Sequence, residues 1–344
     1  MLRGQAGTPL HAMIQARRLN KLYGRQKAIE DLTFSVEAGE IVGLLGPNGA
    51  GKTTTMRILA GYFPPTSGTV RVAGFDLLRQ PRQAKSRIGY LPERPPLYPH
   101  LRVDAYLRLV DTLKGAAEEP FSRRLQQVKD ECGLSDCGSQ LIAHLSKGFR
   151  RRLGLAQALI HDPQVLILDE PTEGLDPQQI SEVRTLIQGL AGRRSVLLST
   201  HILPEVSVTC GRVLIIHRGR LIAEGSPRDL RSRLGRGALI EMQVEGPVES
   251  LPARLRAMAG VSNAVLEESP GRGRLLLVEA EAGADIRAQS ARLVVESGCG
   301  LLSMHSRDAS LEDIFLHLTT EEERAAPDSP PSSREDPDRE EVAG

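Results

Sequence analysis

A glycine-rich octapeptide places the strongest constraint on how this chain folds. It consists of Gly46, Pro47, Asn48, Gly49, Ala50, Gly51, Lys52 and Thr53. An apolar run, Ile41–Leu45, precedes it as a predicted strand, and Thr53–Ala60 follows as a predicted helix. Glycines allow backbone N–H groups to turn inward onto an anion, and a helix N-terminus adds partial positive charge. The octapeptide therefore predicts a strand, a phosphate-binding loop and a helix in succession.

Two side chains have defined roles in phosphate-binding loops with this G-x-x-x-x-G-K-[ST] spacing. Lys52 is expected to reach the β- and γ-phosphates of a nucleoside triphosphate and to act as a catalytic group. The Thr53 hydroxyl is expected to hold Mg²⁺, and Thr54 is expected to join the binding segment. The alternative is a chance glycine turn before a helix, and the preceding strand and the full spacing argue against it. A nucleoside triphosphate with Mg²⁺ is therefore the predicted ligand of this loop.

A second apolar run ends in two acidic residues. Val165–Leu168 is followed directly by Asp169 and Glu170. Parallel sheets bind ligands at the carboxyl ends of their strands, so both carboxylates are expected beside the phosphate-binding loop. Asp169 is predicted to bind Mg²⁺ directly or through water, and Glu170 to polarise the attacking water as a catalytic residue. The alternative is an acidic pair that caps a helix, which we consider the weaker interpretation next to this loop.

Apolar strands alternate with helix-like segments through the first two thirds of the chain. Val165–Asp169 and Ser195–Thr200 are each followed by loop residues and a helical pattern, and residues 103–159 are mostly helical in pattern. This order indicates an α/β fold in which helices cover a parallel sheet. The sequence contains no run of about 20 apolar residues, the length that a membrane-spanning helix needs.

Further motifs follow in a specific order. Residues 145–150 read LSKGFR, residues 166–172 read LILDEPT, residues 174–177 read GLDP, and His201 follows a predicted strand. Together with the octapeptide, this set resembles the nucleotide-binding domain of ABC transporters over about residues 13–227. The tetrapeptide YLPE and the later hexapeptide LEDIFL support a narrower resemblance, to ATP-binding subunits of the drug-exporter and gliding-motility type. The resemblance implies a P-loop NTPase of ABC type with an antiparallel β subdomain and a helical subdomain.

The resemblance implies roles for residues outside the octapeptide. Tyr23 occupies the position of the aromatic residue that stacks on adenine, although a tyrosine beside a glycine turn is also an ordinary surface residue. Ser146 and Gly148 would bind the γ-phosphate of the nucleotide held by a second copy of the chain. His201 would act catalytically, by contacting the γ-phosphate and helping to hold Glu170 and the attacking water in line.

Three positions depart from the family pattern. Lys147 and Phe149 stand where the usual LSGGQ segment has a glycine and its glutamine, and Phe149 cannot form the hydrogen bonds of an amide. Glu93 stands where a magnesium-facing glutamine is usual, so we expect it to bind the nucleotide and its Mg²⁺ through a carboxylate.

The resemblance also implies that Asp176 lies at the dimer interface. The basic run Arg150–Arg152 is predicted to form a solvated or interface face of the following helix.

The resemblance implies an ATPase that binds ATP with Mg²⁺ and powers a membrane transporter. Two copies are expected to form a head-to-tail homodimer, trap two ATP molecules and separate after hydrolysis, which would drive a separate multi-span membrane permease. The subfamily resemblance implies export, with the chain bound peripherally at the cytoplasmic face of the membrane. The net charge is only +1, so no nucleic acid partner is expected. The alternative is a soluble, non-transport ABC ATPase that acts on ribosomes, DNA or cluster assembly.

The pattern of the sequence changes after Gly225. Residues 13–230 are predicted to form the nucleotide-binding domain, with a helical subdomain at about 95–160. Residues 236–318 alternate strand-like and helix-like segments in the order βαββαβ with a closing helix, which predicts a small ferredoxin-like α+β module. Residues 319–344 are rich in Pro, Ser and acidic residues and are predicted to form a disordered acidic tail.

Overall fold

The computed structural model describes residues 12–115, 120–233, 236–268, 273–281 and 284–307. The strands among them are, in chain order, β1 (Ala12–Tyr23), β2 (Gln26–Glu37), β3 (Ile41–Leu45), β4 (Ser67–Val72), β5 (Phe75–Asp76), β6 (Ile88–Leu91), β7 (Val165–Asp169), β8 (Ser195–Thr200), β9 (Arg212–His217), β10 (Arg220–Gly225), β11 (Arg236–Glu245), β12 (Val261–Glu268), β13 (Arg274–Glu281) and β14 (Gly300–Arg307). The α-helices are α1 (Lys52–Leu59), α2 (Pro81–Ser86), α3 (Val103–Lys114), α4 (Phe121–Glu131), α5 (Lys147–Leu159), α6 (Pro177–Gln188), α7 (Leu203–Thr209), α8 (Pro227–Arg233), α9 (Leu251–Arg256) and α10 (Arg287–Glu296). Short 3-10 helices occupy Ser135–Cys137 and Ile142–His144.

The strands that precede residue 226 form two sheets. In the central sheet the strand order is β10-β9-β3-β8-β7-β6, and β9, β3, β8, β7 and β6 run parallel. β10 pairs antiparallel with β9 at one edge of this sheet. The second sheet is antiparallel, with the order β2-β1-β4-β5. The predicted parallel sheet and the predicted antiparallel β subdomain are both confirmed.

Strand β3 shows how the central sheet is covered on both faces. All five of its residues are buried. Consecutive side chains of a strand point to opposite faces of a sheet. Val42 and Leu44 accordingly pack with residues of the antiparallel sheet and α1, whereas Ile41 and Leu45 pack with the helices on the other face. Because both faces of the sheet are covered, a site can form from the loops at the carboxyl ends of the strands.

Helices α3, α4 and α5 pack on one another, and α5 also contacts β6. They form the predicted helical subdomain. Ser146 is the N-cap residue of α5, and its Oγ accepts a hydrogen bond from the backbone N–H of Phe149 at 3.3 Å. Among the described helices, none combines the length and the apolar character that crossing a bilayer requires.

Residues 236–307 contain a third sheet, with a core of its own. Its strand order is β12-β13-β11-β14, and every pair is antiparallel. Helix α9 packs on β12 and α10 on β14, and the buried residues all come from this part of the chain. The strands and helices predicted for residues 238–305 occur in the predicted order. The predicted closing helix Leu311–Leu318 and the tail 319–344 lie outside the described residues.

Candidate active site

The loop between β3 and α1 requires glycine at two positions. Gly51 has a φ of +101°, and a Cβ there would lie 2.6 Å from the carbonyl oxygen of Ala28. A Cβ on Gly46 would lie 2.5 Å from the carbonyl oxygen of Ile216. Neighbouring backbone therefore packs directly on the loop. Helix α1 begins at Lys52, immediately after the loop, so its unpaired N-terminal N–H groups add to the anion-binding character of the loop.

Lys52 is buried against the loop that it follows. Its Nζ donates hydrogen bonds to the carbonyl oxygens of Gly46 at 2.8 Å and Pro47 at 3.2 Å. The same Nζ lies 3.4 Å from Oε1 of Glu170, and both side chains are less than a tenth exposed. The ammonium group therefore contacts the phosphate-binding loop and the predicted catalytic carboxylate at once.

Asp169 ends β7 next to two hydroxyl groups. Its Oδ1 accepts hydrogen bonds from Thr53 Oγ1 at 3.3 Å and from Ser199 Oγ at 2.6 Å. Its Oδ2 is buried and has no hydrogen-bond partner among the described residues. Burial raises the pKa of the Asp169 carboxyl, and the hydrogen bonds from Ser199 and Thr53 oppose that shift. A buried carboxylate oxygen without a partner, close to a threonine hydroxyl, suits a divalent cation that prefers oxygen ligands.

Glu170 follows in a left-handed backbone conformation, with a φ of 47°. Such a φ is uncommon for a residue that carries a side chain. Its backbone N–H donates to Ser199 Oγ at 3.0 Å. Its Oε2 lies 2.9 Å from Nδ1 of His201, while its Oε1 faces Lys52. The Glu170 carboxylate is thus held between a buried ammonium group and a histidine ring.

A cleft of about 520 Å³ joins these groups. The predicted site residues that line it are Tyr23, Pro47, Asn48, Gly49, Gly51, Lys52, Thr53, Thr54, Glu93, Glu170 and His201. Gly46 and Ala50 belong to the loop but do not line the cleft, and Asp169 bonds to Thr53 without lining it. The structure therefore brings together the loop, both acidic residues, the tyrosine, Glu93 and the histidine at one site.

Ser146 and Gly148 line a different cleft, of about 380 Å³. A Cβ on Gly148 would lie 2.8 Å from the side-chain amide carbon of Gln179, so a larger residue would displace that side chain. Within one chain, these two predicted phosphate contacts do not share a cleft with Lys52. The fold of a single chain therefore leaves the predicted site residues in two groups.

Of the three departures from the family pattern, Phe149 lies at this second cleft, whereas Glu93 lines the first. Phe149 is 37% exposed, with the guanidinium carbon of Arg152 5.4 Å from its ring centroid. Asp176 also lines the second cleft. It is the N-cap residue of α6, and its Oδ1 accepts a hydrogen bond from the backbone N–H of Gln179 at 2.9 Å. Lys147 lines neither of the two clefts. The ring of Phe149 thus lies at an exposed surface, where the usual segment has an amide.

The prediction that Arg150–Arg152 forms a solvated or interface face is wrong for Arg151. Successive residues of an α-helix are rotated by about 100°, so three consecutive arginines point in three directions. Arg150 is exposed and Arg152 partly exposed, but Arg151 is only 6% exposed. Its guanidinium lies beneath the loops that follow β6 and β7.

Several residues of the site were not predicted from the sequence. Ser199 binds both acidic residues, and the available signal was a polar side chain near the end of an apolar strand, two residues before His201. The other unpredicted residues, which line the cleft, are Gln26, Lys27, Ala28 and Glu173. The first three follow the turn beside Tyr23, and no motif distinguishes them from surface residues.

Comparisons with known proteins agree with this geometry. The family described as ABC transporter matches residues 29–173. The linearmycin resistance ATP-binding protein LnrL of Bacillus subtilis is 33% identical over 316 residues, which cover 89% of this chain and 98% of that protein. The Nod factor export ATP-binding protein I of Cupriavidus metallidurans is 34% identical over 315 residues, which cover 91% of this chain and 99% of that protein.

A solved structure supports the same assignment of the fold. It is described as the ATP-binding subunit of an ABC transporter, and it superposes with a TM-score of 0.60 at 34% identity. The match covers 65% of this chain and 93% of that structure. The predicted P-loop NTPase fold of ABC type is therefore confirmed. The chain belongs to the ABC transporter family, as an ATP-binding subunit that hydrolyses ATP.

Proposed function

We propose that this chain binds ATP with Mg²⁺ in the cleft beside Lys52 and powers export by a separate multi-span permease. The observation that carries the proposal is the position of the Glu170 carboxylate between Lys52 Nζ and His201 Nδ1, at a cleft lined by the phosphate-binding loop. The family description, ABC transporter, and the names of relatives as ATP-binding proteins support a separate membrane permease as the partner. Relatives named for linearmycin resistance and for Nod factor export support the outward direction. The chain would then work peripherally, at the cytoplasmic face of the membrane.

The residues at the cleft fit ATP with Mg²⁺. The phosphate-binding loop and Lys52 would hold the β- and γ-phosphates, and the half-exposed ring of Tyr23 would stack on adenine. Asp169 has a buried oxygen without a partner, Thr53 Oγ1 lies beside its other oxygen, and Glu93 adds a carboxylate in the cleft. These three residues would hold the metal ion, which supplies neutralisation of phosphate charge during phosphoryl transfer.

Glu170 is the general base in this proposal. The attacking water gives a proton to the Glu170 carboxylate as its oxygen bonds to the γ-phosphorus. The bond between that phosphorus and the β–γ bridging oxygen breaks, and the products are ADP and inorganic phosphate. Lys52 balances the charge that develops on the leaving β-phosphate. His201 holds the Glu170 carboxylate in line through the contact of 2.9 Å and adds a contact to the γ-phosphate.

Ser146 and Gly148 would complete the nucleotide site of a second copy. They line a cleft apart from the Lys52 of their own chain, so the Ser146 hydroxyl and nearby N–H groups are available to a γ-phosphate held by a partner. The N-terminus of α5 adds partial positive charge at the same place. A head-to-tail homodimer satisfies both groups of site residues at once, with Asp176 at the interface. Its opening after hydrolysis would transmit motion to the permease.

The domain division predicted from the sequence also becomes part of the proposal. Residues 13–230 would act as the nucleotide-binding domain, and residues 236–318 as a small α+β domain of ferredoxin-like type. The separate buried cores and the βαββαβ order of the described elements support this division. The second domain carries no catalytic motif, so we assign it a role in docking, dimerisation or regulation.

A Glu170→Gln variant tests the catalytic part of the proposal. It should bind ATP with nearly unchanged affinity, lose about 100-fold or more in turnover, and accumulate as an ATP-bound dimer. Binding would be followed with a fluorescent nucleotide, turnover by phosphate release, and mass by light scattering after gel filtration. Glu131→Gln is the matched control, because Glu131 is also paired with a basic side chain, Arg193 at 3.3 Å, but lies outside the cleft. Undiminished turnover in Glu170→Gln would remove Glu170 from the mechanism.

Affinity purification tests the transport part. The tagged chain would be recovered from detergent-solubilised native membranes and its companions identified by mass spectrometry. A multi-span membrane protein at near-equal abundance is the expected result. Recovery with ribosomal or DNA-associated proteins, and without a membrane protein, would contradict a transport role.

A further inference from the structure

Arg151 extends from α5 to the loops that follow two neighbouring strands of the central sheet. Its donors reach five main-chain carbonyl oxygens, those of Pro92 (3.3 Å), Glu93 (2.6 Å), Asp169 (3.1 Å), Pro171 (2.7 Å) and Glu170. The first two acceptors follow β6 and the other three end or follow β7. One side chain therefore ties together the loop that carries Glu93 and the turn that carries both acidic residues.

The guanidinium group suits this position better than any other side chain. It is planar, permanently charged and carries five N–H donors in a fixed arrangement. Arg151 is buried, and a buried charge is tolerated only where hydrogen bonds replace its hydration. All five hydrogen bonds are made to main-chain oxygens, so the group orients peptides and leaves the carboxylates free to face the cleft.

Arg151 bonds to the peptide groups on both sides of Glu170, and Ser199 also bonds to the preceding one. The N–H of Glu170 donates to Ser199 Oγ at 3.0 Å, and its carbonyl oxygen accepts a hydrogen bond from Arg151. Between these two contacts, Glu170 has the left-handed φ of 47°. A residue with a side chain keeps such a conformation only where its surroundings impose it. Ser199 and Arg151 supply that constraint, and the constraint directs the Glu170 carboxylate toward Lys52 and His201.

Arg151 also shares a helix with the predicted contact to the second copy. Ser146 begins α5 and precedes Arg151 by five residues, which is about 7.5 Å along a helix axis. We propose that Arg151 is a positioning residue for ATP hydrolysis, a proposal that rests on the proposed role of Glu170. Arg151 holds Glu170 and the Glu93 loop in reactive geometry and couples them to the helix that reaches the other nucleotide.

The attachment of α5 to the core does not depend on Arg151. Leu153, Leu155 and Leu159 of the same helix are buried in the core between the central sheet and the helices on the Ile41 face of that sheet. Loss of the guanidinium should therefore affect the orientation of Glu170 more than the presence of the helix. This separates a positioning role from a purely structural one.

The test uses Arg151→Met, which keeps most of the side-chain volume and removes every donor. We expect kcat to fall by about 10- to 100-fold while the dissociation constant for ATP changes by less than about threefold. Arg151→Lys should give an intermediate kcat, because one ammonium group cannot reach both loops. An unchanged kcat in Arg151→Met would overturn the inference. Should Arg151→Met fail to fold, Arg151→Lys replaces it, and a wild-type kcat in that variant overturns the inference equally.

A double-mutant cycle with Glu170→Gln shows whether Arg151 acts through Glu170. With the base already removed, Arg151→Met should lower the residual turnover by less than about threefold. An equal loss in both backgrounds would mean that Arg151 acts independently of Glu170, which overturns the inference and leaves the proposed function intact. Wild-type turnover in Glu170→Gln alone would instead overturn the proposed function, and the inference with it.

Arg194→Met controls for the loss of a buried arginine. Arg194 donates to the Pro163 carbonyl oxygen at 3.4 Å and lies 3.0 Å from an oxygen of Asp162. It precedes β8, whereas Glu170 follows the neighbouring parallel strand β7, so the two residues lie at opposite ends of the strands. This variant should keep the wild-type kcat. A loss of kcat in Arg194→Met equal to that in Arg151→Met would make the effect of Arg151 a general one and overturn the inference.

Discussion

Replacing Ser199 by alanine would remove one hydroxyl group that forms hydrogen bonds with both acidic residues of the candidate active site. Its Oγ donates to Asp169 Oδ1 at 2.6 Å and accepts the backbone N–H of Glu170 at 3.0 Å. A hydrogen bond to a charged group is worth about 2 kcal/mol and a neutral one about 1 kcal/mol. We therefore expect Ser199→Ala to lower the free energy of unfolding by about 3 kcal/mol. It should also raise the pKa of Asp169 further, since the Ser199 hydrogen bond lowers that pKa.

Ser195 provides a matched control on the same strand. Its Oγ donates to the Glu37 carbonyl oxygen at 2.9 Å and accepts the backbone N–H of Gly39 at 3.0 Å. Like Ser199, it is buried. Ser195→Ala removes two neutral hydrogen bonds, so we expect it to lower the free energy of unfolding by about 2 kcal/mol. It should leave the ATPase rate unchanged.

Chemical denaturation followed by circular dichroism would give the unfolding free energies, and phosphate release would give the turnover of each variant. Ser199→Ala should lose about tenfold or more in kcat and need more Mg²⁺ for half-maximal activity, because it disturbs the residues expected to hold the metal and the water. Equal losses of stability and of turnover in the two variants would refute the reasoning. So would a Ser199→Ala variant with wild-type turnover.

Two further predictions concern the loop and a buried histidine. Gly51→Ala should weaken ATP binding by about tenfold or more in a fluorescence titration, since its Cβ would lie 2.6 Å from the Ala28 carbonyl oxygen. Gly211→Ala should leave ATP binding unchanged, because its Cβ would meet nothing within 4 Å and its φ is not left-handed. Burial, assisted by the nearby charge of Lys114, lowers the pKa of His161 to about 4. The unfolded chain then binds the proton more readily, so stability should fall by roughly 1 kcal/mol per unit as pH drops from 6.5 toward 4. His161→Leu should abolish this slope in denaturation measured over a pH series, and an unchanged slope would contradict the assignment.

The strand, the glycine-rich loop and the helix around residues 46–53 could be predicted because their requirements are local. The glycine spacing of residues 46–53, the apolar run before it and the helical pattern after it all lie within about twenty residues. The acidic pair after β7 was predictable for a similar reason, since an apolar strand that ends in carboxylates is readable without knowledge of its neighbours. Nothing local, however, showed that Ser199 binds both. That contact depends on the register that pairs Asp169 with Ser199 across two parallel strands 30 residues apart.

Arg151 shows a second limit of sequence reasoning. Three consecutive arginines on a helix look alike in a sequence, and a neutral net charge favoured a solvated role for all of them. Which one points inward depends on how α5 lies against β6 and β7, and that is a property of the packed fold. The separation of Ser146 and Gly148 from Lys52 was anticipated only through the family resemblance, because no pattern in the chain states which surface faces a partner.

The parallel arrangement of β8 has a practical consequence. Ser195 and Ser199 are four residues apart, which is about 13 Å along an extended strand. Ser199 lies at the carboxyl end of β8 and bonds to Asp169, whereas Ser195 lies at the amino end and bonds to the turn at Gly39. We therefore expect substitutions near Ser195 and Arg194 to change mainly the thermal stability of the chain. Substitutions near Ser199 should also change the rate of ATP hydrolysis. Heat resistance and cycling speed are then separate engineering variables, adjustable at opposite ends of one strand.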